Sequence, residues 1–459
     1  MKLIATLPQG ALSIQGWCKH GADCRLQECK PLILLNKSIG SQITFRKSHC
    51  RKSSAQQSTA PADRASVVDK RARKRHHRFG GLSPAQMNRN DMPLRVTYRS
   101  GNPEIFGAQD GAADINFVVN SWAGWRSVLA TADYRLENVA SRIISNEDVW
   151  VVLTYLQLRR RGLCASISNA PAAERINILD GVSFAARPAP ADLFYVGCRG
   201  DGHYPGLCQV VIRQNGLESR GQPSIYIPQW TQPAIIARAS ARTGIRTLGF
   251  LGHAEINLAR PFKDPAFAAQ LRSLGCELIV RGKSEDRVSW HDYSDLDLIL
   301  AVRDIPPSHL QLKPVNKLTN AWAAGVPALL GPEPAIEAIR RSRLDYIPVI
   351  TPADVFGALA TLQETAGLYQ RMVDHGRSRA AEYDDDAVAN RWFAVLDQVR
   401  ERYRDWRSLN PVQRKLNQLR RIVSYSLSLR RHVREVHYAY RRLGYGAKWW
   451  ETSSLTAQR

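Results

Sequence analysis

Three cationic side chains in the second half of this 459-residue chain have a spacing that suits an anionic ligand. Arg303 ends an apolar run that predicts a buried strand, and Lys313 precedes a proline, a favoured first residue of a helix. In that predicted helix, Lys317 and Asn320 lie on the polar side. Two lysines, an arginine and the free N–H groups of a helix start suit a diphosphate. The alternative is the solvated face of an ordinary helix.

Acidic residues and glycines accompany these cations. Glu333 lies in a predicted loop and Glu337 in the first turn of the next predicted helix. A carboxylate at the carboxyl edge of a sheet accepts hydrogen bonds from a ribose or sugar diol; alternatively, Glu333 only caps the helix and favours its dipole. Gly249 and Gly252 predict a turn after the first strand of this half, where the backbone can approach a phosphate closely.

A loop in the first half offers a proton acceptor. Residues 196–208 carry Asp201 and His203 among four glycines. Either side chain suits a general base for an attacking hydroxyl, and histidine has an unperturbed pKa near neutrality. The alternative is a turn that Asp201 caps, with His203 merely polar. Between residues 92 and 397 no His, Asp and Cys residues have metal-ligand spacing, so the sequence predicts no bound metal.

Alternating strands and helices must position these side chains. In the first half, a helix over 148–161 precedes predicted strands at 163–168, 176–179, 192–197, 208–214 and 224–228. In the second half, strands at 247–252, 276–282, 296–303, 326–331 and 346–350 alternate with helices at 262–275, 314–325, 334–342 and 353–363. This order predicts an α/β fold with two doubly wound units and a cleft, in which ligands lie beyond the carboxyl ends of the strands.

The net charge of +23 lies on the two ends of the chain. Residues 1–91 carry +12 and residues 398–459 carry +11, whereas the residues between them are neutral. A fold that reads duplex nucleic acid is expected to carry its basic excess on the folded body, so no specific nucleic-acid partner is expected. The leader lacks apolar periodicity, which predicts disorder. A globular pattern begins at Met92, so a start codon assigned too early would explain the leader.

Residues 411–442 predict a basic amphipathic helix. Its apolar residues recur at steps of four and three: Val412, Leu416, Leu419, Val423 and Leu427. Seven Lys and Arg residues lie among and after them, and two tryptophans follow. The pattern suits an anionic membrane surface; the alternative is a helix packed along the body with a solvated basic face. Sparse cysteines and the lack of an apolar run of about 18 residues predict a cytoplasmic protein, attached at most peripherally to the inner membrane face.

The run from YSDLDLILAVR (293–303) through KPVNKLTNAWAAGVPALLGPE (313–333) resembles the donor-binding domain of GT-B glycosyltransferases. The resemblance implies two facing Rossmann-like domains, of which the C-terminal one binds a nucleotide sugar without a protein-bound metal. By position, Lys313 and Lys317 would hold the donor diphosphate, and Glu333 would bind ribose or sugar hydroxyls. Asn320 and Leu312 stand where many retaining members carry glutamates, which leaves the stereochemistry open.

Together these features predict a glycosyltransferase of the hexosyltransferase type (EC 2.4), which moves a sugar from a nucleotide sugar to a hydroxyl acceptor. The expected segments are a basic leader (1–91), an acceptor-side domain (92–235), a donor-side domain (236–385), a terminal helix packing back on the body (386–410) and a basic tail (411–459). The alternative function is a non-catalytic binding module of the same fold, whose basic ends engage membrane or nucleic acid.

Overall fold

The computed structural model describes residues 2–4, 15–17, 104–107, 113–131, 134–181, 190–217, 223–284 and 287–442. Backbone contacts divide the chain into two units, Met1–Leu82 and Ser83–Arg459. In the first unit, strands β1 (Lys2–Ile4) and β2 (Gln15–Trp17) pair antiparallel. Apart from these two strands, the leader that the composition predicts to be disordered lies outside the described residues.

Seven strands of the second unit form one sheet. They are β3 (Ile105–Gly107), β4 (Ile115–Val118), β5 (Ser166–Ser168), β6 (Ile176–Asp180), β7 (Phe194–Arg199), β8 (Val210–Arg213) and β9 (Ile225–Tyr226). Their spatial order is β3-β5-β4-β6-β7-β8-β9, and only β3 runs antiparallel to its neighbour. Every residue of β4, β5 and β6 is buried, as expected for central parallel strands covered on both faces.

A second parallel sheet forms from the later strands. The strands of this part are β10 (Thr247–Leu251), β11 (Glu277–Arg281), the antiparallel pair β12 (Lys283–Ser284) and β13 (Arg287–Val288), β14 (Leu298–Ala301), β15 (Ala328–Leu330) and β16 (Ile347–Pro348). The five-stranded sheet has the order β11-β10-β14-β15-β16, and all of its pairs are parallel. The strand order reverses between β10 and β14, which is the switch point where doubly wound sheets bind ligands.

The helices lie between and after these strands. In the first half they are α1 (Trp122–Leu129), α2 (Leu136–Ala140), a π-helix (Asp148–Leu153) and α3 (Thr154–Arg159). In the second half they are α4 (Ala254–Asn257), a 3₁₀ helix (Arg260–Lys263), α5 (Pro265–Ser273), α6 (Pro307–Leu310), α7 (Asn316–Ala324), α8 (Pro334–Ile339), α9 (Pro352–Glu364) and α10 (Leu368–Ala380). Two long helices, α11 (Asp385–Ser408) and α12 (Pro411–Arg442), complete the described chain. Within the described residues, none of the helices combines the length and apolarity that a bilayer crossing requires.

The mixed α/β fold with parallel sheets that the alternation predicts is confirmed. Several elements are shorter than the sequence predicts: the strand predicted over 296–303 is Leu298–Ala301, which leaves Arg303 two residues beyond it. The helix predicted over 148–161 is present, but its first part is wound as a π-helix. The predicted division into an acceptor-side and a donor-side domain stays a prediction.

Asp297 holds the start of the five-stranded sheet together. Its side chain is 1% exposed and accepts hydrogen bonds from the side chains of Arg238 and Arg242. The backbone N–H groups of Arg246 and Thr247 donate to the same carboxylate. Burial alone would raise the pKa of Asp297, but these donors hold it below its usual range. The carboxylate is therefore an ionised anchor for the connection that enters β10.

We expect Asp297→Asn to lower the free energy of unfolding by about 3–5 kcal/mol, because the substitution leaves two arginines without their buried partner. Since the folded pKa lies below the unfolded value, the wild-type carboxylate stabilises the fold above about pH 4 and loses this effect as the pH falls towards the folded pKa. Urea unfolding at pH 7 and at about pH 3 tests both points. The difference between wild type and variant should shrink in acid.

The matched control is Asp264→Asn, at the exposed N-cap of α5, where the side chain accepts from the backbone N–H of Ala266. Asparagine caps helices as well as aspartate does, so this change should cost less than about 1 kcal/mol. Equal decreases in the free energy of unfolding for the two variants would show that the buried carboxylate of Asp297 stabilises the fold no more than an exposed helix cap does.

Candidate functional site

Lys317 lies at the switch point of the five-stranded sheet. It is in the first turn of α7, and its Nζ donates to the carbonyl of Leu251, the last residue of β10, over 2.5 Å. The ammonium lies 4.6 Å from the centroid of the Phe250 ring. Gly252 follows with φ +142°, a conformation that strains other residues, and a Cβ there would come within 3.3 Å of Nζ. Gly252 and the ammonium of Lys317 are therefore direct neighbours.

The surroundings of Lys317 disfavour its charged form. Burial, together with the positive charges of Arg303 and Lys313, lowers the pKa of the ammonium to about 7, and Glu333 opposes this shift. Both the charged and the neutral form are therefore populated near neutral pH. An anion that arrived here would favour the protonated form and draw a proton onto the lysine.

Arg303 and Glu333 form a buried ion pair beside this lysine. Their side chains are 5% and 1% exposed. Glu333 is the N-cap residue of α8, but its side chain makes no capping hydrogen bond there and pairs with Arg303 instead. Within the described residues, Arg303 Nε and Glu333 Oε2 have no hydrogen-bond partner. Most buried polar atoms in folded proteins have a hydrogen-bond partner, so these two atoms retain hydrogen-bonding capacity that a bound ligand would use.

Lys313 forms an ion pair with Asp201, which lies in the loop after β7 of the seven-stranded sheet. Its Nζ lies 2.6 Å from Asp201 Oδ2, and Gln214 Nε2 donates to the other oxygen of that carboxylate over 2.8 Å. Burial would raise the pKa of Asp201, but Lys313, Gln214 and Arg303 outweigh it and lower the pKa. Asp201 is thus ionised and held by a lysine rather than capping a turn. A carboxylate with a lowered pKa is a weak base in this state.

His203 faces the C-terminal helix. Its Nε2 lies 3.2 Å from Ser428 Oγ, and its ring packs against Tyr425 and His432 with centroid distances of 5.4 and 4.9 Å. Burial, together with His432 and Arg199, lowers the pKa of His203 to about 4. The imidazole is therefore neutral at pH 7, and its charged form is disfavoured.

Three further predicted residues have structural contacts. Gly249 lies inside β10 rather than in the turn after it, which corrects the prediction: a Cβ there would meet Leu296 at 2.5 Å, so its small size serves packing. Asn320 is buried and accepts from the backbone N–H of Gln232. The exposed Glu337 accepts from the hydroxyl of Tyr346, and burial together with this carboxylate raises the pKa of the tyrosine.

The sequence analysis did not single out Glu147. This carboxylate is 8% exposed, accepts from the backbone N–H groups of Asn120 and Ser121, and has a pKa that burial raises. It lies at the loop after β4, where the order of the seven-stranded sheet also reverses. A buried carboxylate with a raised pKa is a candidate functional residue. In the sequence, Glu147 is an acidic residue at a helix start, which is an ordinary pattern.

A cavity of about 510 Å³ lies elsewhere in the second unit. Its lining includes Arg161, Gln232, Ala323 and Asp385, and none of the predicted site residues. In the part of the chain that the structure describes, no group of three or more His, Cys, Asp and Glu side chains is placed to hold a metal ion.

No protein-family model matches the sequence, and no curated protein matches it. Among solved structures, the GtfA/B complex is 13% identical with a TM-score of 0.34, and the match covers 55% of this chain and 60% of that one. Anabaena Alr3699/HepE in complex with UDP and glucose is 8% identical over 62% of this chain and 99% of that one, with a TM-score of 0.38.

The apo lipopolysaccharide outer core galactosyltransferase WaaB is 12% identical over 49% of this chain and 75% of that one, with a TM-score of 0.32. These proteins are GT-B glycosyltransferases, the class that the sequence resembles. At these scores the likeness carries no assignment of substrate or residue roles.

Proposed function

We propose that this chain is a glycosyltransferase that moves a hexose from a nucleoside diphosphate donor to a hydroxyl acceptor. The observation that carries the proposal is the position of Lys317, beside Gly252 at the switch point of the five-stranded sheet and in the first turn of α7. A helix N-terminus supplies N–H groups and a favourable dipole, and the lysine supplies charge and hydrogen bonds to phosphate. A nucleoside diphosphate offers the matching anion.

The neighbouring cations complete the proposed donor site. Lys317 and Lys313 bind the diphosphate, Arg303 adds positive charge near Lys317, and Glu333 accepts hydrogen bonds from ribose or sugar hydroxyls. Negative charge grows on the diphosphate as the bond between sugar C1 and phosphate oxygen breaks. Cations held in place before the reaction stabilise that charge without reorganising, which is the largest contribution expected of this site.

Asp201 is the proposed base, because it is ionised and bonded to Lys313. When the diphosphate binds Lys313 in place of Asp201, Asp201 loses the main partner that lowers its pKa. Asp201 then becomes a stronger base. The acceptor hydroxyl then gives its proton to Asp201 while its oxygen forms the new bond to sugar C1. His203 is the less suitable group, since its contacts are with α12 and its pKa is about 4.

One observation favours a non-catalytic binding module instead. Lys313 and Arg303 already have internal carboxylate partners, so an anion must displace Asp201 or leave the pairs intact. A module of that kind would bind its ligand without transferring a sugar. The two functions differ in whether a nucleoside diphosphate binds and turns over.

A thermal-shift panel tests the proposal. The ligands are UDP, GDP and ADP, with CMP and inorganic pyrophosphate as controls. One nucleoside diphosphate at about 100 times its dissociation constant should stabilise the fold by about 2.7 kcal/mol and raise the melting temperature by roughly 5–10 °C. The corresponding sugar nucleotide should then be hydrolysed slowly without acceptor. If no nucleoside diphosphate stabilises the fold more than both controls do, the proposed donor site is wrong. Tight nucleotide binding without any turnover would favour the non-catalytic module.

A further inference from the structure

The long helix α12 packs on the body with one face only. Gln418 and Tyr425 are buried, and Tyr425 belongs to an apolar cluster that includes Leu179 and Tyr195 of the seven-stranded sheet. The stripe of aliphatic residues that the periodicity predicts is on another side of the helix. Its members are 42–66% exposed: Val412, Leu416, Leu419, Val423 and Leu427. The helix therefore leaves its most regular apolar face, the α12 stripe, in contact with solvent.

Basic residues border the α12 stripe. At 3.6 residues per turn the five aliphatic side chains fall within an arc of roughly 80°, with Lys415 on one side and Arg420 on the other. Arg430 and Arg434 continue the same face towards the C-terminus, and Lys415, Arg420, Arg430 and Arg434 are all exposed. No Asp or Glu occurs between residues 411 and 434. The surface is thus apolar along its centre and only positive around it.

We propose that this face of α12 binds an anionic lipid membrane. An aliphatic stripe fits the boundary between headgroups and acyl chains, and the flanking cations fit the lipid phosphates. A second copy of the helix offers a poor match, since pairing two stripes would bring like charges together with no acidic residue to compensate. The phosphates of a nucleic acid would match the cations, but they offer no apolar surface to the aliphatic side chains. An anionic bilayer supplies both kinds of surface.

Flotation of the full chain with vesicles tests the proposal. One vesicle contains phosphatidylcholine alone, and the other contains phosphatidylcholine with phosphatidylglycerol. We expect at least about tenfold more protein on the anionic vesicles at low salt, and a decrease as salt screens the arginines. Leu416→Ser/Leu419→Ser/Val423→Ser should remove binding at every salt concentration. Because these side chains are exposed, the melting temperature should not change.

The matched control replaces exposed aliphatic residues elsewhere, with Leu274→Ser/Ile350→Ser, whose side chains are 49% and 64% exposed. This control should float as the wild type does. Equal binding to neutral vesicles, or no binding to either, would overturn the proposal. So would a concentration-dependent dimer that the stripe variant abolishes without lipid, or binding to nucleic acid alone. Vesicle binding needs no donor, so its failure leaves the proposed transferase untouched, and loss of nucleotide binding leaves this test intact.

Discussion

Replacing Lys317 by methionine should weaken nucleoside diphosphate binding by at least about 100-fold, because it removes the charged donor at the start of α7. The same change should stabilise the free protein. The pKa of Lys317 is about 7, below the usual value for lysine, so the unfolded state binds more protons and the charged ammonium destabilises the fold at pH 7. Methionine keeps the length of the side chain and removes this cost, which we expect to add about 1–2 kcal/mol to the free energy of unfolding.

The pH dependence of binding gives a second measure of the same lysine. Only the protonated ammonium attracts phosphate, so wild-type affinity should fall by up to about tenfold per pH unit above pH 7. Lys317→Arg should bind with a flatter pH profile, because guanidinium stays charged. Isothermal titration calorimetry measures both, and thermal unfolding measures the stability change. Lys263→Met, at an exposed lysine, is the control and should bind as the wild type does. Unchanged affinity in Lys317→Met would contradict the assignment.

Glu333→Gln should lower the free energy of unfolding by about 3–5 kcal/mol, because it leaves Arg303 buried without its counter-charge. The melting temperature should fall by roughly 6–20 °C. The double variant Arg303→Met/Glu333→Leu should recover most of this loss, since apolar side chains of similar size can replace a buried ion pair. It should still fail to bind the nucleotide that stabilises the wild type, because both polar groups belong to the proposed donor site.

Urea unfolding and calorimetry of the three proteins separate stability from binding. The control is Glu174→Gln, which breaks the exposed pair of Glu174 with Arg407, whose side chains are 78% and 47% exposed, and should cost less than about 1 kcal/mol. Full nucleotide affinity in the stable double variant would show that the pair only supports the fold.

Local signals in the sequence predicted the elements around the site. Pro314 and Gly325 bounded the predicted helix at 314–325. In the structure, α7 runs from Asn316 to Ala324, and Gly325 has the left-handed conformation at φ 67°. The proximity of Arg303, Lys317 and Glu333 followed from the fact that parallel strands bring their carboxyl ends to one edge.

The partners of these side chains could not be predicted, because they depend on how distant elements meet. Lys313 and Asp201 are 112 residues apart in the sequence and lie in loops that follow strands of different sheets. Periodicity identified the stripe of α12 but not the face that packs, since burial of Tyr425 depends on the shape of the surface beneath it. Glu147 had no distinguishing sequence pattern at all.

We propose that the switch point between β10 and β14 binds a diphosphate. A crystal structure of the full chain with the nucleoside diphosphate that stabilises it tests this most directly. Phosphate oxygens should lie within hydrogen-bond distance of Lys317 Nζ and next to Gly252. A nucleotide bound instead in the cavity lined by Gln232 and Asp385, or along the arginines of α12, would contradict it.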